Sequence, residues 1–172
     1  MLKKNMETAL NEQLNFELYS AYLYFSMAAY FEHMGLPGFS HWMKIQTQEE
    51  INHALKFYNF INERGGRVIL RQIDTPPSEW KSPLDAFENA LRHEQLVTER
   101  INRLMDLAME KKDYATQNFL QWFVDEQVEE EASVGEVVNK LRLIGNERHP
   151  LFMLDRELSQ RTIAPQQKGG EK

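Results

Sequence analysis

The chain of 172 residues contains no cysteine. That excludes disulfides, thiolate metal sites and a cysteine nucleophile. Positive charge is also short: the formal net charge is −6 and no basic block is present, which argues against nucleic acid as a partner. Long hydrophobic runs are missing as well. The longest weakly polar stretch, LYSAYLYFSMAAYF at 18–31, is bounded by Glu17 and Glu32; it is too short to span a bilayer and reads as a buried helix. The opening MLKKNMETALNE has two lysines with no apolar run behind them, unlike a signal peptide. A cytoplasmic protein with no membrane partner is the expectation.

Breakers are few and clustered, so the chain divides into long helical stretches. Nothing stops a helix from about residue 5 to His33, and MGLPG at 34–38 makes a turn before a second helix from Phe39 to Arg64. The segment GGRVILRQIDTPPSEWKSP at 65–83 carries two glycines, three prolines and a short strand-like VIL. Ser82, Pro83 and Asp85 then supply an N-cap, a first-turn proline and a first-turn acid for a third helix running to about Glu110. After a soft break near Lys112–Tyr114 a fourth helix continues to Leu143, ended by Gly145–Asn146. A short fifth helix is expected over Pro150–Arg161, giving one domain over 1–161 and a loose tail over 162–172.

Connection lengths set the topology. Tight turns after the first and third helices make two antiparallel hairpins. A helix of this length spans roughly 40 Å, while the extended middle linker reaches about 60 Å, enough to cross the whole bundle. The sequence therefore predicts an all-α, four-helix bundle with one long crossover connection, plus a short fifth C-terminal helix.

Each long helix has an apolar seam of alternating threes and fours with polar residues near its middle. The first reads Leu10, Leu14, Glu17, Ala21, Tyr24, Ala28, Phe31, and the second Phe39, Met43, Gln46, Glu50, His53, Phe57, Phe60. The third reads Leu84, Phe87, Leu91, Glu94, Thr98, Ile101, Met105, and the fourth Leu120, Phe123, Gln127, Glu130, Val134, Val137, Leu141. Glu17 and Glu50 stand 33 residues apart, as do Glu94 and Gln127, so the two hairpins place their polar positions at one height. The second helix contributes Glu-x-x-His and the fourth Gln-x-x-Glu.

A single glutamate on an apolar stripe is ordinarily a boundary residue with its stem buried and its carboxylate in water. Four glutamates and a histidine in one layer are different, because repulsion and desolvation oppose them unless cations are present. A metal pair resolves the conflict. Carboxylates with one imidazole and no sulfur suit a hard ion such as iron or manganese. Glu50 can be shared between two ions, with Glu17 and His53 completing one site and Glu94 and Glu130 the other. Anionic oxygen ligands favour Fe(III) over Fe(II), so the site should promote oxidation of ferrous iron by dioxygen.

At these residues the chain resembles the non-haem prokaryotic ferritins over nearly its full length; the pattern is a recognised one for ferritin-like di-iron proteins. The resemblance implies a ferroxidase centre with Glu17, Glu50 and His53 on the first iron, Glu50, Glu94 and Glu130 on the second, and Gln127 close by. Tyr24 matches the family's tyrosine beside the centre, an electron or hydrogen-bond donor, and Trp122 occupies a supporting or core-filling position. A third iron site at Glu49, Glu126, Glu129 and Glu130 is also implied, although the run DEQVEEEA at 125–132 would by itself read as a solvated helix face. Haem is not expected: bacterioferritins carry a ligating methionine after the bridging glutamate, and Ile51 stands there. Rubrerythrins need a cysteine-ligated iron, which this chain cannot supply. The implied function is iron storage with ferroxidase activity in a homo-oligomer of 24 subunits, using ferrous iron and O2 or H2O2. The competing reading is a soluble di-iron redox enzyme without storage.

Overall fold

The computed structural model describes residues 2–145 and 147–163. Four long helices, α1 (Lys4–His33), α2 (Pro37–Glu63), α3 (Pro83–Glu110) and α4 (Tyr114–Ile144), are followed by a short α5 (Arg148–Leu158). The bundle with one crossover is as expected, and no helix among the described residues is long and apolar enough to cross a membrane.

The core shows the direction of each helix. One apolar cluster joins Met27 and Phe31 of α1, Phe39 and Met43 of α2, Phe87 of α3 and Val137 and Leu141 of α4. The other joins Met6 and Leu10, Phe57 and Ile61, Ile101 and Leu104, and Leu120 and Phe123. The chain passes from the second cluster to the first along α1, returns along α2, and is back at the first cluster when α3 begins. Helices α2 and α3 are therefore parallel, which only a full-length crossover permits. Between the clusters lies the polar layer.

The crossover is extended but forms no strand among the described residues, so the strand-like VIL is corrected to coil. Its backbone is satisfied by α1 instead of by another strand. Asn11 Nδ2 donates to the Arg67 carbonyl at 3.0 Å and its Oδ1 accepts from Ile69 N at 2.7 Å. Asn15 Oδ1 accepts from Arg71 N at 3.2 Å, Ser26 Oγ donates to the Pro77 carbonyl at 2.6 Å, and Tyr30 OH donates to the Trp80 carbonyl at 2.9 Å. This ladder climbs α1 in register and answers the need of an extended backbone for partners.

Helix boundaries follow local chemistry. Ser82 caps α3 by accepting from Asp85 N at 3.1 Å, and Asp113 caps α4 through Thr116 N at 3.2 Å. Helix α5 starts at Arg148 and ends at Leu158, shifted from the expected Pro150–Arg161. Pro150 falls inside its first turn, where a missing N–H costs nothing. Asp155 of α5 accepts from Gly38 N at 2.8 Å and Phe39 N at 3.0 Å, capping α2 from a distance. Any side chain at Gly38 would put its Cβ 1.7 Å from the Asp155 carbonyl oxygen, so glycine there is a condition of α5 docking. Asn146 and residues 164–172, and with them most of the expected tail, lie outside the described residues.

Candidate metal centre

Glu17, Glu50, His53, Glu94, Gln127 and Glu130 are all buried, at 4% exposure or less. The seams of α1, α2 and α4 turn inward as read from the sequence, with Phe60 at the end of α2 partly buried. On α3 the buried stripe is Phe87, Ala90, Glu94, Val97, Ile101, Leu104 and Ala108, while Leu84, Leu91, Thr98 and Met105 are only partly buried. The expected seam there shares Phe87, Glu94 and Ile101 with the real one and is otherwise displaced to its flank.

Donor atoms of Glu17, Glu50 and His53 lie within 4.8 Å of one another, as do those of His53, Glu126 and Glu130. His53 joins the two groups. Its Nδ1 is 3.3 Å from Glu50 Oε2, and its Nε2 is 3.8 Å from Glu126 Oε1. Trp122 meets the imidazole edge-on at 5.5 Å between ring centroids and carries Lys56 Nζ 4.1 Å above its own ring.

Glutamine amides hold the carboxylates in place. Gln13 Nε2 donates to Glu17 Oε1 at 2.8 Å. Gln46 Nε2 donates to Glu130 Oε2 at 2.6 Å and lies 3.4 Å from Glu50 Oε1. Gln127 Nε2 is 3.2 Å from Glu94 Oε2 and 3.3 Å from Thr98 Oγ1. Tyr24 OH donates a short hydrogen bond to the other Glu94 oxygen. Glu17 Oε2, by contrast, is buried with no hydrogen-bond partner among the described residues. Sequence reasoning placed Gln46 on a seam without a role and missed Gln13. The signal for Gln13 was its spacing of four before Glu17, which puts both on one helix face.

The electrostatics fit a site built for cations. Burial raises the Glu17 carboxyl to about 8, helped by the Glu50 charge. Burial and Glu50 likewise raise Glu130 to about 7 and lift Glu94 well above the usual range. Burial would raise Glu50 too, but the His53 charge and hydrogen bond outweigh it and hold Glu50 low. His53 stays protonated well above its ordinary value, because Glu50 and Glu126 outweigh the burial that opposes its charge. Without metal, the layer is thus a Glu50–His53 ion pair surrounded by carboxyls that retain protons.

The outer acidic residues are less tightly gathered. Glu126 lies against His53 and is partly buried, and Glu49 is paired with Arg161 at 2.6 Å. Glu129 is exposed. His93, which the sequence reading passed over, is buried beside the layer, 2.7 Å from Ser20 Oγ and stacked on Phe16 at 5.2 Å. Burial lowers its pKa to about 4, so it is neutral.

Residues 7–144 match the ferritin-like domain family. The chain is 43% identical over 161 residues to a bacterial non-heme ferritin of Bacteroides fragilis, covering 94% of this chain and all of that protein. Its identity to the Staphylococcus aureus bacterial non-heme ferritin is 42% over 163 residues, covering 95% and 98%. Among solved structures, an open-pore ferritin from the hyperthermophilic archaeon Archaeoglobus fulgidus superposes with a TM-score of 0.94 at 57% identity, covering 94% of this chain and all of that one. Four crossover-linked helices around a buried carboxylate layer, matched from end to end by such relatives, place this chain in the ferritin family.

Proposed function

We propose that the protein stores iron, oxidising Fe(II) with O2 at a di-iron centre inside each subunit and holding the product as ferric oxyhydroxide mineral within a homo-oligomeric cage. The observation that carries this reading is the buried layer of four glutamates and one histidine between two apolar clusters. The donor set fits iron: it is oxygen-rich with one imidazole, and Glu17 Oε2 is a buried acceptor that a cation would satisfy.

Glu17, Glu50 and His53 would hold the first ferrous ion. Glu50 would bridge to the second, held by Glu94 and Glu130 with Gln127 beside them. Each ion gives up one electron, so the pair supplies two to one dioxygen. Tyr24 would act beside the centre, its hydroxyl already on Glu94. The protons held on Glu17, Glu94 and Glu130 leave as iron enters, because a metal ligand must be deprotonated. An outer third site would draw on Glu49, Glu126, Glu129 and Glu130. Iron there would have to displace Arg161 from Glu49 and Glu126 from His53, which suits a weaker relay site. Haem has no part, since Ile51 follows the bridging Glu50. A cytoplasmic cage of 24 subunits completes the reading.

Size-exclusion chromatography combined with aerobic iron loading tests it. A large cage that takes up many irons per subunit supports storage. A small assembly that consumes oxygen without retaining iron would overturn it in favour of a soluble di-iron enzyme.

A further inference from the structure

Among the glutamines around the carboxylates, Gln13 is held from outside the layer by a charged residue. Its Oε1 accepts from Arg100 Nε at 2.9 Å. A guanidinium can only donate, so Arg100 fixes which end of the amide faces it, and the Gln13 NH2 must then face Glu17. Arg100 is itself fixed: Nη2 donates to the Glu12 carbonyl at 3.2 Å, and the guanidinium lies 4.2 Å over the Phe16 ring. Gln13 is 1% exposed, so water cannot readily replace either of its bonds.

The consequence falls on Glu17. With Oε1 engaged at 2.8 Å by Gln13, the buried Oε2 is the atom left without a partner. A buried acceptor in that state is costly until a proton or cation meets it. We propose that Arg100 and Gln13 form a positioning relay that holds Glu17 as a one-oxygen ligand, so that the half-buried Arg100 on α3 tunes the metal affinity of a site built by α1 and α2. This rests on the reading of Glu17 as a metal ligand. Arg100 makes no hydrogen bond to the metal-binding carboxylates or to His53; it holds Glu17 through Gln13, and its charge also faces Glu17.

Co(II), which dioxygen does not readily oxidise in such a carboxylate-rich site, is the probe, titrated calorimetrically into metal-free full-length protein while its visible absorption is followed. Partners outside the ligand shell typically change metal affinity by about 10–100-fold. Gln13→Leu, which keeps volume but removes the amide, should weaken the tighter Co(II) event by roughly tenfold or more and shift the visible band. Gln13→Glu keeps an acceptor for Arg100 but cannot donate to Glu17, and should be no better. Arg100→Met should weaken the event by a few-fold, and Arg100→Lys should recover part of the loss. In the Gln13→Leu background, Arg100→Met should cause no further weakening, since coupled residues are non-additive and the positive charge it removes near Glu17 does not help a cation bind. A merely structural role would give additive losses that track the melting temperature.

Unchanged affinity in Gln13→Leu, or additive losses in the double variant, overturns the relay. Should Gln13→Leu fail to fold, Arg100→Met at its half-exposed site decides the matter alone: an unchanged Co(II) affinity and spectrum refute the proposal. Glu17→Gln separates this failure from failure of the site itself. If that variant binds Co(II) like the unmodified protein, Glu17 is not a ligand and the metal-site reading falls, with the relay following.

Discussion

The two hairpins meet the same polar layer in different states. The α1–α2 half gathers Glu17, Glu50 and His53 into one group, with an ion pair at its centre and one carboxylate oxygen unpartnered. In the α3–α4 half the carboxylates are already occupied. Tyr24 and Gln127 bond the two oxygens of Glu94, and Gln46 bonds Glu130. Both halves must give up protons to bind, and the first must also part Glu50 from His53. Glu17 Oε2 still offers an ion a first contact that no donor holds, so the first half should take an ion more readily. In the second, Tyr24 and Gln127 already bond both Glu94 oxygens, so an ion has to share or displace them. A shared sequence register thus does not imply equal sites: one half keeps an oxygen that no donor holds and the other is latched.

The largest expected effect would remove the comparison altogether. In the proposed centre Glu50 would be the ligand common to both ions, so Glu50→Ala should abolish fast ferrous oxidation, whereas His53→Ala should weaken chiefly one ion. Stopped-flow oxidation at about two Fe(II) per subunit measures this, and a normal fast-phase amplitude in Glu50→Ala would refute the assignment. Next come the two halves separately. Glu17→Gln should delete the tighter of two Co(II) binding events, and Glu94→Gln the weaker. The opposite pattern would mean that the latched half is the stronger one.

The pH dependence has a definite sign. Glu17 and Glu130 are raised to about 8 and about 7 from 4.5, and His53 is raised well above 6.5. Groups raised on folding contribute stability fully below their unfolded pKa and lose it as pH rises through the folded value. Metal-free protein should therefore lose melting temperature from these groups between about pH 5 and pH 8. The gap to Zn(II)-loaded protein should widen over the same window, because metal then replaces protons. A gap that narrows with rising pH would contradict the proton-holding layer.

Smaller effects sharpen the asymmetry. Tyr24→Phe removes one latch on Glu94; a hydrogen bond of net worth about 1 kcal/mol corresponds to roughly a fivefold tightening of the weaker Co(II) event. Glu130→Gln should remove activity and leave the metal-free melting temperature unchanged or raised, because a carboxyl that resists ionisation in this site loses little on becoming an amide. Breaking a stabilising buried pair costs about 3–5 kcal/mol, so a large drop in that variant would show the layer to be structural.

Much was legible before any coordinates. Alternating threes and fours located the helices, breaker positions located the turns, and the long linker implied parallel α2 and α3. Polar residues at matched heights marked the site. The α3 seam was read off-phase because Ala90 and Ala108 bury fully yet carry little hydropathy contrast, while the larger Leu84 and Leu91 only flank the core. The VIL run looked like a strand because β-branched residues favour extended backbone. Extended it is, but satisfied by asparagine side chains that only the packing of α1 brings near.

Sequence by itself determined that Glu17, Glu50, His53, Glu94, Gln127 and Glu130 share the buried layer, since helical periodicity places them on inward faces even where, on α3, the rest of the seam was read off-phase. Tertiary structure decided what each carboxylate does there. Arg100 lies 87 residues from the Gln13 it orients, Tyr24 lies 70 from the Glu94 it latches, and Gln46 lies 84 from Glu130. Hydrogen bonds between side chains on different helices depend on ångström-scale packing and rotamer choice, and spacing along one helix carries no record of either.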